Sequence, residues 1–392
     1  MNPTDLPYFS IVRGGPFYRY RRAVGLIPEK GLGLMKRVAF IVAVTWLPIV
    51  IAALLTERAL PGQGIDPLFR HFGLHARMLI AIPLLILAEG SIEAIVPDIV
   101  RQFVKAGFVT GEVRAQFDEA LRKTERLRDS LWGLVLVIAA MVNAIILSSG
   151  SNWGSDEMTW AVDQQGQTIH IGFGGWWLLF VGRPVFSGFL AIWFWRLLVG
   201  GVLIWRISKL DLHLVPSHPD RAGGLAFVSQ LSKSYAPIVF AISVVIAGRW
   251  AHDVLYHGVH VDDLKPMLAV YVGAILLIFV APLLLFSRNL RSYKRKSILE
   301  YGALIGAQGR LVREKWIGGH DVGDPPIFDS PELGPTVDIS SIYTAVAQMR
   351  LVPIGKDALI PILAAIALPM LPVFAIEIPI KDLLLKVGKS LI

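Results

Sequence analysis

The chain has 392 residues, of which 54% are hydrophobic and only 17% charged. A soluble globule cannot cover that much apolar surface with so few charges, so a disordered chain and an ordinary soluble enzyme are both excluded. There is no cysteine, which removes disulfides, thiolate metal sites, Fe–S clusters and cysteine nucleophiles. The formal net charge of +8 would suit a nucleic-acid ligand, but the charges lie between apolar runs. This pattern predicts an all-α, multi-pass membrane protein with no nucleic-acid partner.

A membrane-spanning helix needs about 20 mostly apolar residues. Seven candidates occur, at 38–56, 78–98, 131–149, 178–205, 236–256, 267–287 and 357–377. The first lies far from residue 1, which predicts no cleavable signal peptide. Segment 1–37 carries Phe9, Phe17, Tyr18 and Tyr20 among Arg13, Arg19, Arg21 and Arg22. It reads as a cytoplasmic interfacial segment, with rings at headgroup depth and guanidinium groups on anionic lipid. Residues 38–287 form the transmembrane core. Within it, the loop 99–130 holds a helix opened by Thr110, with Val113, Phe117, Leu121, Thr124 and Leu127 at helical spacing. Thr124 is the weak member of that stripe, offering only its methyl group. Segment 288–356 begins with a second amphipathic helix at 288–317, whose apolar side carries Leu290, Tyr293, Tyr301, Leu304, Ile305, Leu311 and Val312. Each of the two helices is expected to lie under the bilayer or pack on its counterpart; the alternative is a solvated helix that extends a span. A Gly/Pro/Asp-rich loop at 318–336 and a short helix at 339–350 follow. Segment 357–392 is a terminal membrane segment with an amphipathic tail. Pro361, Pro369 and Pro372 inside it leave a full span, a broken helix and a re-entrant hairpin all open.

The Lys/Arg distribution sets the expected orientation. With the N-terminus cytoplasmic, 28 of the 38 Lys and Arg residues fall in cytoplasmic segments, 7 fall outside, and Arg183, Arg196 and Arg249 lie inside spans. Both long basic loops, 99–130 and 287–356, are then cytoplasmic, facing anionic lipid.

Ionisable side chains within spans cost about 2.5–3.5 kcal/mol each on insertion scales, so each requires an explanation. Glu89 and Glu93 share one face of the second span, and Glu89 lies roughly 18 Å from the Arg101 end. Arg196 lies roughly 15 Å from Arg206 at the matching end of the fourth span. The depths predict a Glu–Arg pair near mid-bilayer, and removal of Arg196 alone should then hurt more than its joint removal with Glu89. Together with Arg183 and Arg249, these residues outline an intramembrane polar path; a structural pair that fixes helix order is the other reading.

The densest polar motif is LDLHLVPSHPDRAGGLAFV at 210–228. Asp220 suits an N-cap, and the stretch opened by Arg221, Gly223 and Gly224 could hold a phosphate or lipid headgroup on its free N–H groups, with His218 as general acid or base. Alternatively, Asp220 and Arg221 pin a tight turn. The stretch from Trp176–Trp177 through LHLVPSHPDRAGGL, together with Asp329–Gly334 and Gln348–Gly355, resembles a family of uncharacterised bacterial multi-pass membrane proteins. That resemblance implies a bacterial inner-membrane location and supplies no activity.

Six of the nine histidines fall on the opposite side. His252, His257, His260 and Asp262 crowd the connection between the fifth and sixth spans, where a divalent cation or a pH-sensitive surface would suit them. An ion channel or small-solute transporter, assembled as a homo-oligomer, is the leading expectation. A membrane scaffold or sensor that docks lipids or partners through its amphipathic helices is the second. An enzyme acting on a phosphorylated lipid headgroup at the HPDRAGG turn is the third, and the balance leans away from an enzyme.

Overall fold

The spans form where apolar runs are long enough for backbone hydrogen bonding to be completed within one helix, as the hydrocarbon requires. A computed structural model describes residues 6–28, 31–62, 66–149, 156–165, 168–314 and 333–377. After α1 (Gly15–Ala23), α2 (Leu34–Leu55) rises about 33 Å, just enough to cross. It starts at Gly33, whose φ of 58° and close approach to Pro28 (2.6 Å from a Cβ there) exclude a larger residue.

The remaining helices are α3 (Phe72–Lys105), α4 (Gly111–Arg128), α5 (Trp132–Ser149), α6 (Phe173–Ile207), α7 (Ala236–Tyr256), α8 (Val261–Phe279), α9 (Ser287–Arg313), α10 (Leu333–Ala347) and α11 (Lys356–Phe374). The protein is a polytopic helical membrane protein. Among the described residues six helical stretches are long and apolar enough to cross on their own, and α8 with its continuation Ala281–Arg313, bent from it by 50°, is long and apolar enough to make a seventh if the pair is one span. Residues such as Leu54 and Leu55 on α2 and Ile138, Val142 and Ile146 on α5 are exposed on the outside of the bundle. In lipid they need no cover, which accounts for the shortage of charge. The strands Val162–Gln165 and Thr168–Ile171 form an antiparallel hairpin that the apolar pattern did not foretell.

Two polar faces result. The N-terminal face gathers residues 6–28, α4, 208–235 and α9–α10 around a buried aromatic group. There Phe103 touches Phe108, Phe117, Phe227 and Phe286 at centroid distances of 5.0–6.4 Å. The opposite face joins 56–62 and 66–71, the strand hairpin and the α7–α8 connection, for instance through Arg58 donating to the Val162 carbonyl.

Three arrangements are resolved. Part of segment 6–28 packs inward: Phe9, Ile11, Val12 and Arg21 are buried against the bundle, leaving Arg19, Tyr20 and Arg22 outside. The apolar triplet before the basic helix drives this insertion. The helices α4 and α9 do not pair. Instead α4 packs on α6, and its Thr124 hydroxyl, far from idle, donates to the Ala120 carbonyl and accepts from Arg206 at 2.9 Å. The partner of α9 is α10, and Leu304 is left exposed. Finally, α11 is one continuous helix. Its start lies beside Arg350 on the N-terminal face, and Glu377 beyond its end meets the start of α8 on the other. Packing along α7 holds it straight through its three prolines. The tail 378–392 lies outside the described residues, as do 315–332 with the DSPE part of the second motif.

Candidate functional site

Glu89 and Glu93 stand one turn apart on α3 but belong to different arrangements. Glu89 is buried. Its Oε1 accepts from Arg21 Nη1 at 2.8 Å and Arg196 Nη1 at 3.0 Å, and its Oε2 accepts from Arg37 Nη1 at 2.5 Å. Three separate helices, α1, α2 and α6, thus deliver guanidinium groups to one carboxylate on a fourth. The Arg196 guanidinium also lies 4.7 Å from the Trp193 ring centroid, and the Trp193 indole N–H donates to the Leu85 carbonyl at 2.9 Å. Glu93 accepts from the Tyr8 hydroxyl at 2.6 Å and from Ser10, and pairs with Arg13 at 2.8 Å. The expected Glu89–Arg196 pair is present. Arg21 and Arg37 were not foreseen, and they leave three cations on one anion.

Arg37 sits in the first turn of α2, so the group lies level with the start of that helix. The α3 helix has 34 residues, about 51 Å in length, longer than the hydrocarbon is thick.

A second cluster lies on the opposite face, on the same two helices. Both α3 and α6 carry a π-helical segment, Ala76–Ala81 and Leu178–Gly182, and they meet where Met78 lies 2.8 Å from the position of a Cβ on Gly182. Such segments re-aim side chains and favour functional sites. Here Arg77 Nη1 and Arg183 Nη2 each reach a Glu157 oxygen at 2.9 Å. Burial raises the Glu157 pKa, but Arg77 and Arg183 outweigh it and hold the carboxyl below the ordinary glutamate range. A cavity of about 120 Å³ opens beside it, lined by His71, Arg77, Glu157, Arg249 and His252 among others. Burial lowers the His71 pKa against Asp66, 3.1 Å away. Arg249 pairs with Asp253 at 3.1 Å. Along either helix the two clusters are about 18–20 Å apart. Ile82, Leu85 and Ile86 on α3 and Ala191 and Trp193 on α6 are buried between them.

His252 and His257 come together, with ring centroids 5.3 Å apart, but His260 and Asp262 do not join them. His252 stacks on His71 at 5.5 Å with Nδ1 3.3 Å from the Arg70 carbonyl, His260 approaches Glu377 at 3.5 Å, and Asp262 pairs with Lys265 at 2.5 Å. Among the described residues no group of three His, Asp or Glu side chains can hold a metal. The reason is that His252 turns inward from α7, whereas Asp262 stands on the exposed first turn of α8.

The HPDRAGG turn is closed on itself. The Asp220 carboxylate accepts from the backbone N–H groups of Ala222, Gly224 and Ala226 at 2.8, 3.0 and 2.9 Å, and His218 Nδ1 lies 3.0 Å from it. Burial raises its pKa, and the three N–H groups outweigh this and lower it. These N–H groups are the ones an incoming anion would need, so the cradle read from Gly223 and Gly224 is already filled. Arg221 is exposed with φ 56°. The second motif docks here: the Arg350 N–H donates to the Arg221 carbonyl at 2.7 Å, and Arg350 Nη2 donates to the Asp220 carbonyl at 2.8 Å. Comparison with protein-family models, with curated proteins and with solved structures finds no match.

Proposed function

We propose that this membrane protein conducts or transports small anions, with α3 and α6 as its working pair. The observation that carries the reading is the excess of arginine over carboxylate at the Glu89 end of that pair, with a second arginine–carboxylate cluster at the other end. Arg21, Arg37 and Arg196 share Glu89 at one face, and Arg77 and Arg183 share Glu157 at the other. Buried charges of one sign focus potential and raise the local concentration of the opposite ion. The apolar stretch between the clusters is the barrier that a conformational change would open. We take the functional unit to be a homo-oligomer.

Reconstituted protein should pass chloride or phosphate and exclude sodium and potassium. Arg183→Gln, which leaves Arg77 on Glu157, should slow anion flux about tenfold, equivalent to about 1.4 kcal/mol in the barrier. Cation flux with the same arginine dependence, or no ion flux from well-folded protein, would overturn the reading.

We further place the protein in a bacterial inner membrane with the N-terminus cytoplasmic, on the 28-to-7 division of Lys and Arg. The chain has no natural cysteine, so single replacements report topology directly. Lys123→Cys and Arg295→Cys should resist an impermeant maleimide added to intact cells, and Leu60→Cys should react. The opposite pattern reverses the orientation. A second reading, a scaffold that docks partners, has one observation in its favour: Leu299, Leu304 and Leu311 are exposed on α9.

A further inference from the structure

The Glu89 group is unbalanced in a specific way. Arg21 is buried to about nine-tenths, and its Nη1 is used on Glu89. Its Nε and Nη2 are buried and have no acceptor among the described residues. These two donors form one edge of the guanidinium plane, the edge that meets two oxygens of a carboxylate or phosphate in parallel. Buried polar groups are nearly always satisfied, so an unpaired edge needs an explanation. Charge points the same way, because Arg21, Arg37 and Arg196 share only Glu89 and leave an excess of two positive charges. Glu93 gives no relief, since Arg13 already matches it.

We propose that Arg21 binds a phosphate-class oxyanion through its Nε–Nη2 edge, with Arg37 and Arg196 supplying the attraction that holds it. Two paired donors select an anion with two oxygens over a halide. The cavity of about 30 Å³ beside Arg196 and Trp195 is too small for phosphate, so binding requires the cover over the buried Arg21 Nε and Nη2 to move aside. The helix that carries Arg21, α1, exposes Arg19, Tyr20 and Arg22. At the membrane boundary the phosphate can belong to a lipid headgroup or be free in solution; the recognition chemistry is the same. The site rests on the anion reading above for its part in flux, but not for its occupancy.

The test uses the purified full-length chain in a phosphate-free maltoside detergent. Inorganic phosphate is titrated against sodium chloride at matched ionic strength. In a separate arm, phosphatidylglycerol micelles are compared with micelles of a phosphate-free glycolipid. Melting temperature and native mass spectrometry are the readouts. The wild type should be stabilised by at least one phosphate source beyond its control, lipid alone marking a headgroup site and inorganic phosphate a free-anion site. Arg21→Lys keeps a cation for Glu89 but loses the paired edge, and should weaken binding about tenfold or more. Arg310→Gln, which removes an exposed cation on α9, should bind as the wild type does. Should Arg21→Lys not fold, competition on the wild type decides: sulfate must displace the phosphate and chloride must not. No stabilisation by either source, unchanged binding in folded Arg21→Lys, or equal competition by chloride overturns the proposal. Binding without ion flux would retain this site and remove the transport reading, whereas flux without binding would do the reverse.

Discussion

Glu89→Gln should destabilise the protein by about 3–5 kcal/mol, more than loss of any single arginine around it. The ratio of charges decides the order. One carboxylate lies within 3.0 Å of three guanidinium groups, so removing it strands three like charges in a buried place. Removing Arg196 leaves Glu89 with two partners and lowers the mutual repulsion of the cations. Simple pairing, as the sequence suggests it, predicts that Arg196→Leu alone is worse than Arg196→Leu with Glu89→Gln. Three-to-one charge sharing reverses that order. Arg196→Leu should melt highest of the three variants, the double variant next, and Glu89→Gln lowest. The non-additivity is itself the signature, because residues in one charged network couple by about 0.5–3 kcal/mol. Thermal unfolding in detergent reads the series, and a melting point for Arg196→Leu below that of Glu89→Gln would refute the shared-carboxylate account.

What made Glu89 and Arg196 legible in the sequence was cost: a charge inside an apolar run demands a partner, and helical rise brings the two to similar depths. Arg21 and Arg37 carry no such mark. They sit among Arg13, Arg19, Arg22 and Lys36, where the positive-inside rule already accounts for every cation. Nothing in their spacing tells a guanidinium facing lipid from one turned inward. The available signal was apolar: Phe9, Ile11 and Val12 need burial, and burying them carries α1 over Glu89. Arg77 and Glu157 were missed for a similar reason. Glu157 lies in a polar connection where a carboxylate is ordinary, and a π-helical turn has no periodicity visible in a run such as MLIAIPLL. The spans themselves were legible because about 20 apolar residues have few other uses. Their ends were not, because α3 continues into a second, water-facing packing layer without a break in pattern.

Asp220→Ala should cost about 2–4 kcal/mol, since it removes a charged acceptor from three backbone donors at once. The turn it holds is demanding: Arg221, Gly223 and Gly224 all have positive φ, at 56°, 64° and 92°. A Cβ on Gly224 would stand 2.5 Å from Phe108, so the chain cannot relax toward an ordinary turn with larger residues. Arg350, 130 positions away, binds the carbonyls of Asp220 and Arg221, so the corner is also the anchor for the segment that leads into α11. Asp220→Asn keeps one oxygen acceptor and should lose less than Asp220→Ala. The pH dependence has a fixed sign. Because the folded-state pKa is lowered, the stabilisation is complete above the unfolded aspartate value of about 3.9 and disappears as pH falls through the lower folded value. The stability difference between wild type and Asp220→Ala should therefore be constant near neutrality and shrink only in acid. A difference that grew in acid, or an Asp220→Ala protein melting with the wild type at pH 7, would mean that the N–H groups find other acceptors. The HPDRAGG turn would then be open to an anion after all.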